Sequence, residues 1–233
     1  MKKDVMNAKN VINEIAGYEY LKIYQNDQCL KYSLDSILLA NFVNLKLTTK
    51  KILEIGCGNC PILLILSTKT NAELYGIEIQ KEVYELGKMS VSINNKESQI
   101  KLINDDVRNF YLKNESDIFD IIVSNPPYNK VYNDSILNES DTKTNARHET
   151  LLKLEDIIKI SKKLLKNNGS LVFIHKSDRL TEIIKLLSDN NFSVKRIQFI
   201  YPKKDTNSNL VLIDATKNGK DTAKILPPII VNE

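Results

Sequence analysis

The chain has 233 residues, 42% hydrophobic and 27% charged, a balance that gives room for one large α/β core and not for two substantial ones. No apolar stretch approaches 18 residues, which excludes a transmembrane helix, and no apolar segment follows Lys2 and Lys3 before Gly17, so no secretory signal is expected and a cytoplasmic protein is predicted. The net charge of +4 permits a nucleic-acid partner without requiring one; lysine dominates the basic residues, with arginine only at Arg108, Arg147, Arg179 and Arg196.

The residues before Gly56 read as a hairpin and one helix, Leu34–Phe42, whose Ile and Leu residues form a packing face. Lys51–Ile55 is a short buried strand ending at Gly56, and Pro61–Thr68 a helix with Pro61 in its first turn. Glu73–Ile77 is the next strand, Val83–Asn94 an amphipathic helix, Ile100–Asn104 a third strand and Ile118–Ser124 a fourth. Leu154–Leu165 is a helix expected to close at Asn167-Asn168-Gly169 as a C-cap. Ser170–His175 is a fifth strand and Arg179–Asp189 a helix; Val194–Tyr201 and Asn209–Asp214 are two strands joined by the polar turn Lys203–Ser208. Asn129–Asn145 and Lys217–Ala223 are loops, the first long enough to suggest a substrate lid.

Strands separated by helices predict an α/β fold: a seven-stranded, mostly parallel, doubly wound, Rossmann-like sheet with an antiparallel carboxyl-terminal edge. Ligands of such sheets bind at the carboxyl ends of the strands. One domain is expected over 1–233, with 1–45 leading into a catalytic core at 46–216 and a tail at 217–233.

Chemistry concentrates at those strand ends. Gly56 and Gly58, in Glu54-Ile55-Gly56-Cys57-Gly58-Asn59, form a glycine turn that lets backbone approach a ligand. A full dinucleotide fingerprint would need glycine where Pro61 stands, which argues against a pyrophosphate-bearing cofactor. Glu78, just past the second strand, is placed to accept both hydroxyls of a ribose. Asp106, after the third, can accept from an adenine amine, and Glu54 can face an ammonium group. Together the three acids describe a site for a nucleoside bearing positive charge, although each alone is more often a surface carboxylate or a helix cap.

After the fourth strand comes Asn125-Pro126-Pro127-Tyr128. Each of Asn125 and Pro126 precedes a proline and is biased to an extended path, and neither proline has an N–H to compete for acceptors. The Asn125 side-chain oxygen and the Pro126 carbonyl can therefore both accept from one NH2 group, while Tyr128 offers a face for a flat ring, worth roughly 1–3 kcal/mol. Cys57 and Cys60 have C-x-x-C spacing, but without a second cysteine pair, and with His148 and His175 the only histidines, no metal is predicted.

This ordered set of glycine turn, ribose acid, adenine acid and Asn-Pro-Pro-Tyr resembles class I S-adenosylmethionine-dependent methyltransferases acting on exocyclic or amide nitrogen, over roughly Tyr18 to Asp214. The flanks Tyr18-Glu19-Tyr20-Leu21-Lys22-Ile23-Tyr24-Gln25, Tyr32-Ser33-Leu34-Asp35-Ser36-Ile37-Leu38-Leu39-Ala40 and Ala146-Arg147-His148-Glu149 are similar to those of the bacterial tRNA1(Val) adenine N(6)-methyltransferase family. The resemblance implies S-adenosylmethionine as cofactor, held by Tyr32, Asp35, Glu54, Gly56, Gly58, Glu78, Asp106 and Asn125. It implies as substrate the adenosine 3′ of the anticodon, position 37, in the anticodon loop of tRNA-Val, with Asn125, Pro126, Pro127 and Tyr128 as the catalytic set. Lys130, Lys143, Arg147 and His148 are expected to meet the RNA. Two other readings stay open: a glutamine N(5)-methyltransferase acting on a peptide release factor, and a non-catalytic S-adenosylmethionine- or RNA-binding protein. The first normally carries a helical substrate domain before the glycine turn, and DNA adenine methyltransferases carry a separate target-recognition region for which there is no room here.

Overall fold

The computed structural model describes residues 10–26, 32–113, 115–126, 128, 152–220 and 222–232. The expectations placed on Lys2, Lys3, Pro127, the loop Asn129–Asn145 with Lys130 and Lys143, and on Arg147 and His148 lie outside them. No helix among the described residues is long and apolar enough to cross a membrane.

A two-stranded hairpin, β1 (Val11–Ile15) and β2 (Tyr18–Gln25), opens the chain, followed by α1 (Leu34–Phe42). The core then alternates: β3 (Lys51–Ile55), α2 (Pro61–Leu66), β4 (Glu73–Glu78), α3 (Lys81–Ile93), β5 (Ile100–Asn104), α4 (Val107–Lys113) and β6 (Phe119–Ser124). After the undescribed stretch come α5 (Leu154–Leu164), β7 (Leu165–Lys176), a single 3₁₀ turn at Ser177–Arg179, α6 (Leu180–Asp189), β8 (Phe192–Lys203) and β9 (Leu210–Lys217). Two short strands, β10 (Lys224–Ile225) and β11 (Ile229–Asn232), complete the described chain.

Strands β3 to β9 form one sheet in the order β8-β9-β7-β6-β3-β4-β5, parallel except for β9. The reversed strand lies one place inside the edge: β8 emerges from α6 parallel to β7, and β9 returns by hairpin into the gap between them. The expectation for 217–233 is a tail that begins with the loop Lys217–Ala223. Instead β10 and β11 pair in parallel with the outer side of β8 and extend the sheet to nine strands, because that edge offers a row of unpaired backbone groups.

Both faces of the sheet are covered, and the period of two along each strand decides which residue serves which face. Ile52, Ile121, Val123, Val172, Ile174 and Leu212 pack beneath the hairpin, α1 and α2. Their neighbours Leu53, Ile122, Leu171, Phe173, Val211 and Ile213 pack beneath α5 and α6. Helix α2, Pro-Ile-Leu-Leu-Ile-Leu, is buried on every side, which is why its sequence shows no polar stripe.

The hairpin docks on α3 through two side chains, Ser90, which accepts from the Tyr24 N–H at 2.9 Å, and Asn94. Asn94 accepts from the Lys22 N–H at 3.0 Å and donates to the Lys22 carbonyl at 2.6 Å, the two bonds an adjoining strand would make. At the other end of α5 the expected C-cap is absent, because the helix runs directly into β7 and Leu165 already pairs with Phe119. Gly169 serves close approach instead: a Cβ there would meet the Asp120 carbonyl oxygen at 3.1 Å and the Lys166 carbonyl oxygen at 2.9 Å.

From β3 the chain winds outward through β4 and β5 on one side, and later through β6 and β7 on the other. The switch point lies between β3 and β6, and a crevice opens at their carboxyl ends.

Candidate active site

A cavity of about 380 Å³ occupies that crevice, within the range of roughly 300–1,000 Å³ typical of small-molecule sites. It is floored by the ends of β3, β4 and β6 and walled by the first turns of α1, α3 and α4 and by Ile157 of α5. Every described residue to which the sequence reading gave a cofactor role borders it: Tyr32, Asp35, Glu54, Gly56, Gly58, Glu78, Asp106 and Asn125. Pro126 and Tyr128 border it as well.

The glycine turn closes tightly on the neighbouring strand. The N–H groups of Gly56 and Cys57 both donate to the Ile77 carbonyl, at 2.9 and 3.1 Å. Gly56 and Gly58 sit at φ +72° and +56°, left-handed values that glycine reaches without strain. Glu78 completes the turn, accepting from the Gly58 N–H at 3.0 Å on one oxygen and from the Gln80 N–H at 2.9 Å on the other. A carboxylate held this way keeps further lone pairs for a ligand's hydroxyls. The two cysteines fill space about the turn. A Cβ on Gly76 would meet Cys57 Sγ at 2.7 Å, and one on Gly87 would meet Cys60 Sγ at 3.0 Å, so those glycines let β4 and α3 close on the sulfurs. Among the described residues no group of three His, Cys, Asp or Glu side chains is placed to hold a metal ion.

Glu54 is the electrostatic peculiarity of the cavity. It is 1% exposed, and its Oε2 has no hydrogen-bond partner among the described residues. Burial pushes its carboxyl well above the usual range, with the charge of Glu78 adding to the effect and a backbone hydrogen bond from Leu63 opposing it. An isolated buried carboxylate is costly, and a cation entering the cavity would relieve that cost.

At the far wall, Asp106 borders the cavity with its carboxylate already forked by Arg108, whose Nε lies 3.0 Å from each of its oxygens. That pairing holds the Asp106 carboxyl below its ordinary value. Tyr32 turns its ring to the cavity while its hydroxyl is spent on the hairpin, donating to the Glu14 carbonyl at 3.0 Å and accepting from the Ala16 N–H at 3.3 Å.

The end of β6 brings the remaining pieces together. Tyr128 Oη lies 2.6 Å from Asn125 Oδ1 and 3.1 Å from Asp35 Oδ2. Asn125 Nδ2 lies 3.4 Å from Ser36 Oγ, so the first turn of α1 meets both polar side chains of the motif. Behind the tyrosine stands His175, edge to face at 5.5 Å between ring centroids. Burial, with the charge of Arg179 assisting, pushes His175 down to about 4, which leaves it neutral near pH 7. Ser36 and His175 were not singled out from the sequence. Ser36 lies on a helix whose Ile and Leu residues mark its packing face, and His175 is the last residue of a strand, so neither carries a site signal in the sequence.

Residues 36–180 match the family model described as N-6 DNA Methylase. The chain is 28% identical over 191 residues to the tRNA1(Val) (adenine(37)-N6)-methyltransferase of Parabacteroides distasonis, covering 81% of this chain and 78% of that one. Among solved structures it is similar to a predicted O-methyltransferase from Agrobacterium tumefaciens, with a TM-score of 0.65 at 18% identity over 85% of this chain and 88% of the other. It is also similar to P. horikoshii TYW2 in complex with MeSAdo, with a TM-score of 0.63 at 11% identity over 91% and 73%. At such identities these two structures speak for the fold.

Proposed function

The chain belongs to the N-6 DNA methylase family, and on that footing we propose that it methylates the exocyclic N(6) amine of an adenosine in a tRNA anticodon loop, at position 37 of tRNA1(Val), the activity for which its relative is named. It is a methyltransferase whose cofactor is S-adenosylmethionine. One observation carries the reading: the three carboxylates of Glu54, Glu78 and Asp106 share a cavity with Asn125, Pro126 and Tyr128.

The residues present suit that cofactor. The unmatched oxygen of Glu54 calls for a cation such as an ammonium group. The Glu78 carboxylate has lone pairs left for ribose hydroxyls, and Asp106 at the far wall accepts an adenine amine by giving up part of its fork with Arg108. Gly56 and Gly58 leave the backbone bare where a ligand must pass, and Tyr32, Asp35 and Asn125 complete the enclosure. When bound, S-adenosylmethionine supplies a methyl group on a sulfonium centre.

The work of Asn125, Pro126, Pro127 and Tyr128 is to present the acceptor. An adenine amine is a weak nucleophile because its lone pair is shared with the ring. With its two hydrogens held by Asn125 Oδ1 and the Pro126 carbonyl, the nitrogen becomes pyramidal and its lone pair is free to point at the methyl. This is positioning and electrostatic stabilisation rather than base catalysis. His175, neutral and buried behind the ring of Tyr128, supports the stacking face without taking a proton. A base must leave its stack to reach this wall, which is cheapest in a single-stranded loop. Lys130, Lys143, Arg147 and His148 are the proposed contacts to that RNA.

Asn125→Ala tests the proposal. It should lower the methylation rate about 10²- to 10³-fold while S-adenosylhomocysteine, followed by calorimetry, still binds. A variant that methylates tRNA at the wild-type rate would overturn the mechanism.

A further inference from the structure

The Tyr128 hydroxyl carries one hydrogen and faces two acceptors, Asn125 Oδ1 at 2.6 Å and Asp35 Oδ2 at 3.1 Å. The shorter contact is too close for two oxygens without a hydrogen between them, so the hydrogen lies towards Asn125. That oxygen is the one the target amine requires. The motif therefore satisfies its own acceptor while it waits, and an arriving amine must displace a bond already made.

Resting on the proposed function, we infer that Tyr128 and Asp35 form a hydrogen-bond latch: the Tyr128 hydroxyl stands in for the target amine on Asn125 and turns to Asp35 when that amine arrives. The exchange needs only a rotation about the phenolic C–O bond, because the second acceptor is already within reach of the same oxygen. The ring stays in place against His175 and keeps its stacking face. Asn125 is steadied during the swap by Ser36 Oγ on its amide nitrogen, which keeps Oδ1 turned towards the incoming amine. Without an acceptor at position 35 the displaced hydroxyl would be left unpaired in a half-buried site, a cost charged against substrate binding. Asp35 thereby becomes a positioning residue acting through Tyr128, a role separate from contact with the cofactor.

The electrostatics agree with a swap of hydrogen bonds and not with a proton transfer. Burial and the nearby Asp35 push the Tyr128 phenol far above its ordinary value, so it keeps its hydrogen. Burial raises the Asp35 carboxyl, and its hydrogen bond with Tyr128 opposes the rise.

A double-mutant cycle between Asp35→Ala and Tyr128→Phe tests the latch. With Tyr128 present, Asp35→Ala should raise the KM for tRNA about tenfold with kcat changed less, and Asp35→Asn, which keeps an acceptor oxygen, should recover most of the loss. In the Tyr128→Phe background the same Asp35→Ala change should alter KM less than about twofold, since no hydroxyl remains to be rehoused. Any change that Asp35→Ala makes in the Kd of S-adenosylhomocysteine reports the side of the residue that faces the cofactor and should be the same in both backgrounds. Equal effects of Asp35→Ala on the KM for tRNA in both backgrounds would overturn the latch. A measurement without RNA is independent of the substrate: by NMR the Asn125 side-chain amide signals should move on Tyr128→Phe, and unmoved signals overturn the latch even if Asp35→Ala does not fold. Should the wild-type protein methylate no tRNA, the proposed function falls, and the amide signals still decide for or against the latch.

Discussion

Glu54 shows how a single residue can announce a ligand. Its carboxyl is buried beside the cavity, raised in pKa and holds one oxygen without a hydrogen-bond partner among the described residues. In the ligand-free protein the raised pKa favours the protonated form, whereas an ammonium group beside it would favour the ionised form. The complex then holds fewer protons than the free protein, so binding should release protons and tighten as pH rises above the ordinary carboxylate range. Calorimetry of S-adenosylhomocysteine in two buffers of different ionisation enthalpy reads the released proton directly. Glu54→Gln should flatten the pH dependence and weaken binding at pH 7 by about tenfold or more; an unchanged pH dependence in that variant would place the titrating group elsewhere. The position of Glu54 was legible because a strand-ending acid before two glycines is a recognisable pattern. Its orphaned oxygen was not, since that depends on what α2 and β4 leave uncovered.

At the level of elements, the approach of β4 to the glycine turn depends on Gly76. An added Cβ there would meet Cys57 Sγ at 2.7 Å and the methyl groups of Leu102 and Leu63 at 2.8 Å. Gly76→Ala should destabilise the protein by about 1–3 kcal/mol through overpacking, measured by urea unfolding, and weaken cofactor binding through displacement of Cys57. A second tie links the far edge of the sheet to α1: Arg196 bonds Asp214 at 2.7 Å, donates to the Phe42 carbonyl at 2.8 Å and lies over the Phe42 ring. Asp214 is 5% exposed, so Arg196→Ala strands a buried charge and should cost about 3 kcal/mol. The strands of the core were readable as apolar runs because both sheet faces are buried. Helix α4 was not, because only Val107 of its seven residues is buried and no periodic stripe results. Strands β10 and β11 exist through pairing with β8, a tertiary effect that leaves no local pattern. Gly169 misled as a cap because a glycine needed for close approach looks, in sequence, like one needed for a left-handed turn.

For the whole molecule, the sheet's winding places a nucleoside-sized crevice between β3 and β6, and the acidic pocket for the cofactor sits in a chain whose net charge is +4. Attraction for RNA must then come from lysines and arginines outside the cavity, and binding should be electrostatic in large part. A few phosphate contacts predict that tRNA affinity falls roughly tenfold between 50 and 200 mM salt, as read by filter binding, while cofactor affinity changes little; tRNA affinity indifferent to salt would contradict a backbone-tracking interface. The most direct test of the central claim is nucleoside mass spectrometry of unmodified tRNA incubated with the protein and S-adenosylmethionine, with a peptide release factor assayed in parallel. New N(6)-methyladenosine confined to an anticodon-loop fragment of tRNA-Val is the expected result. Methylated glutamine in the release factor with unmodified tRNA would contradict it.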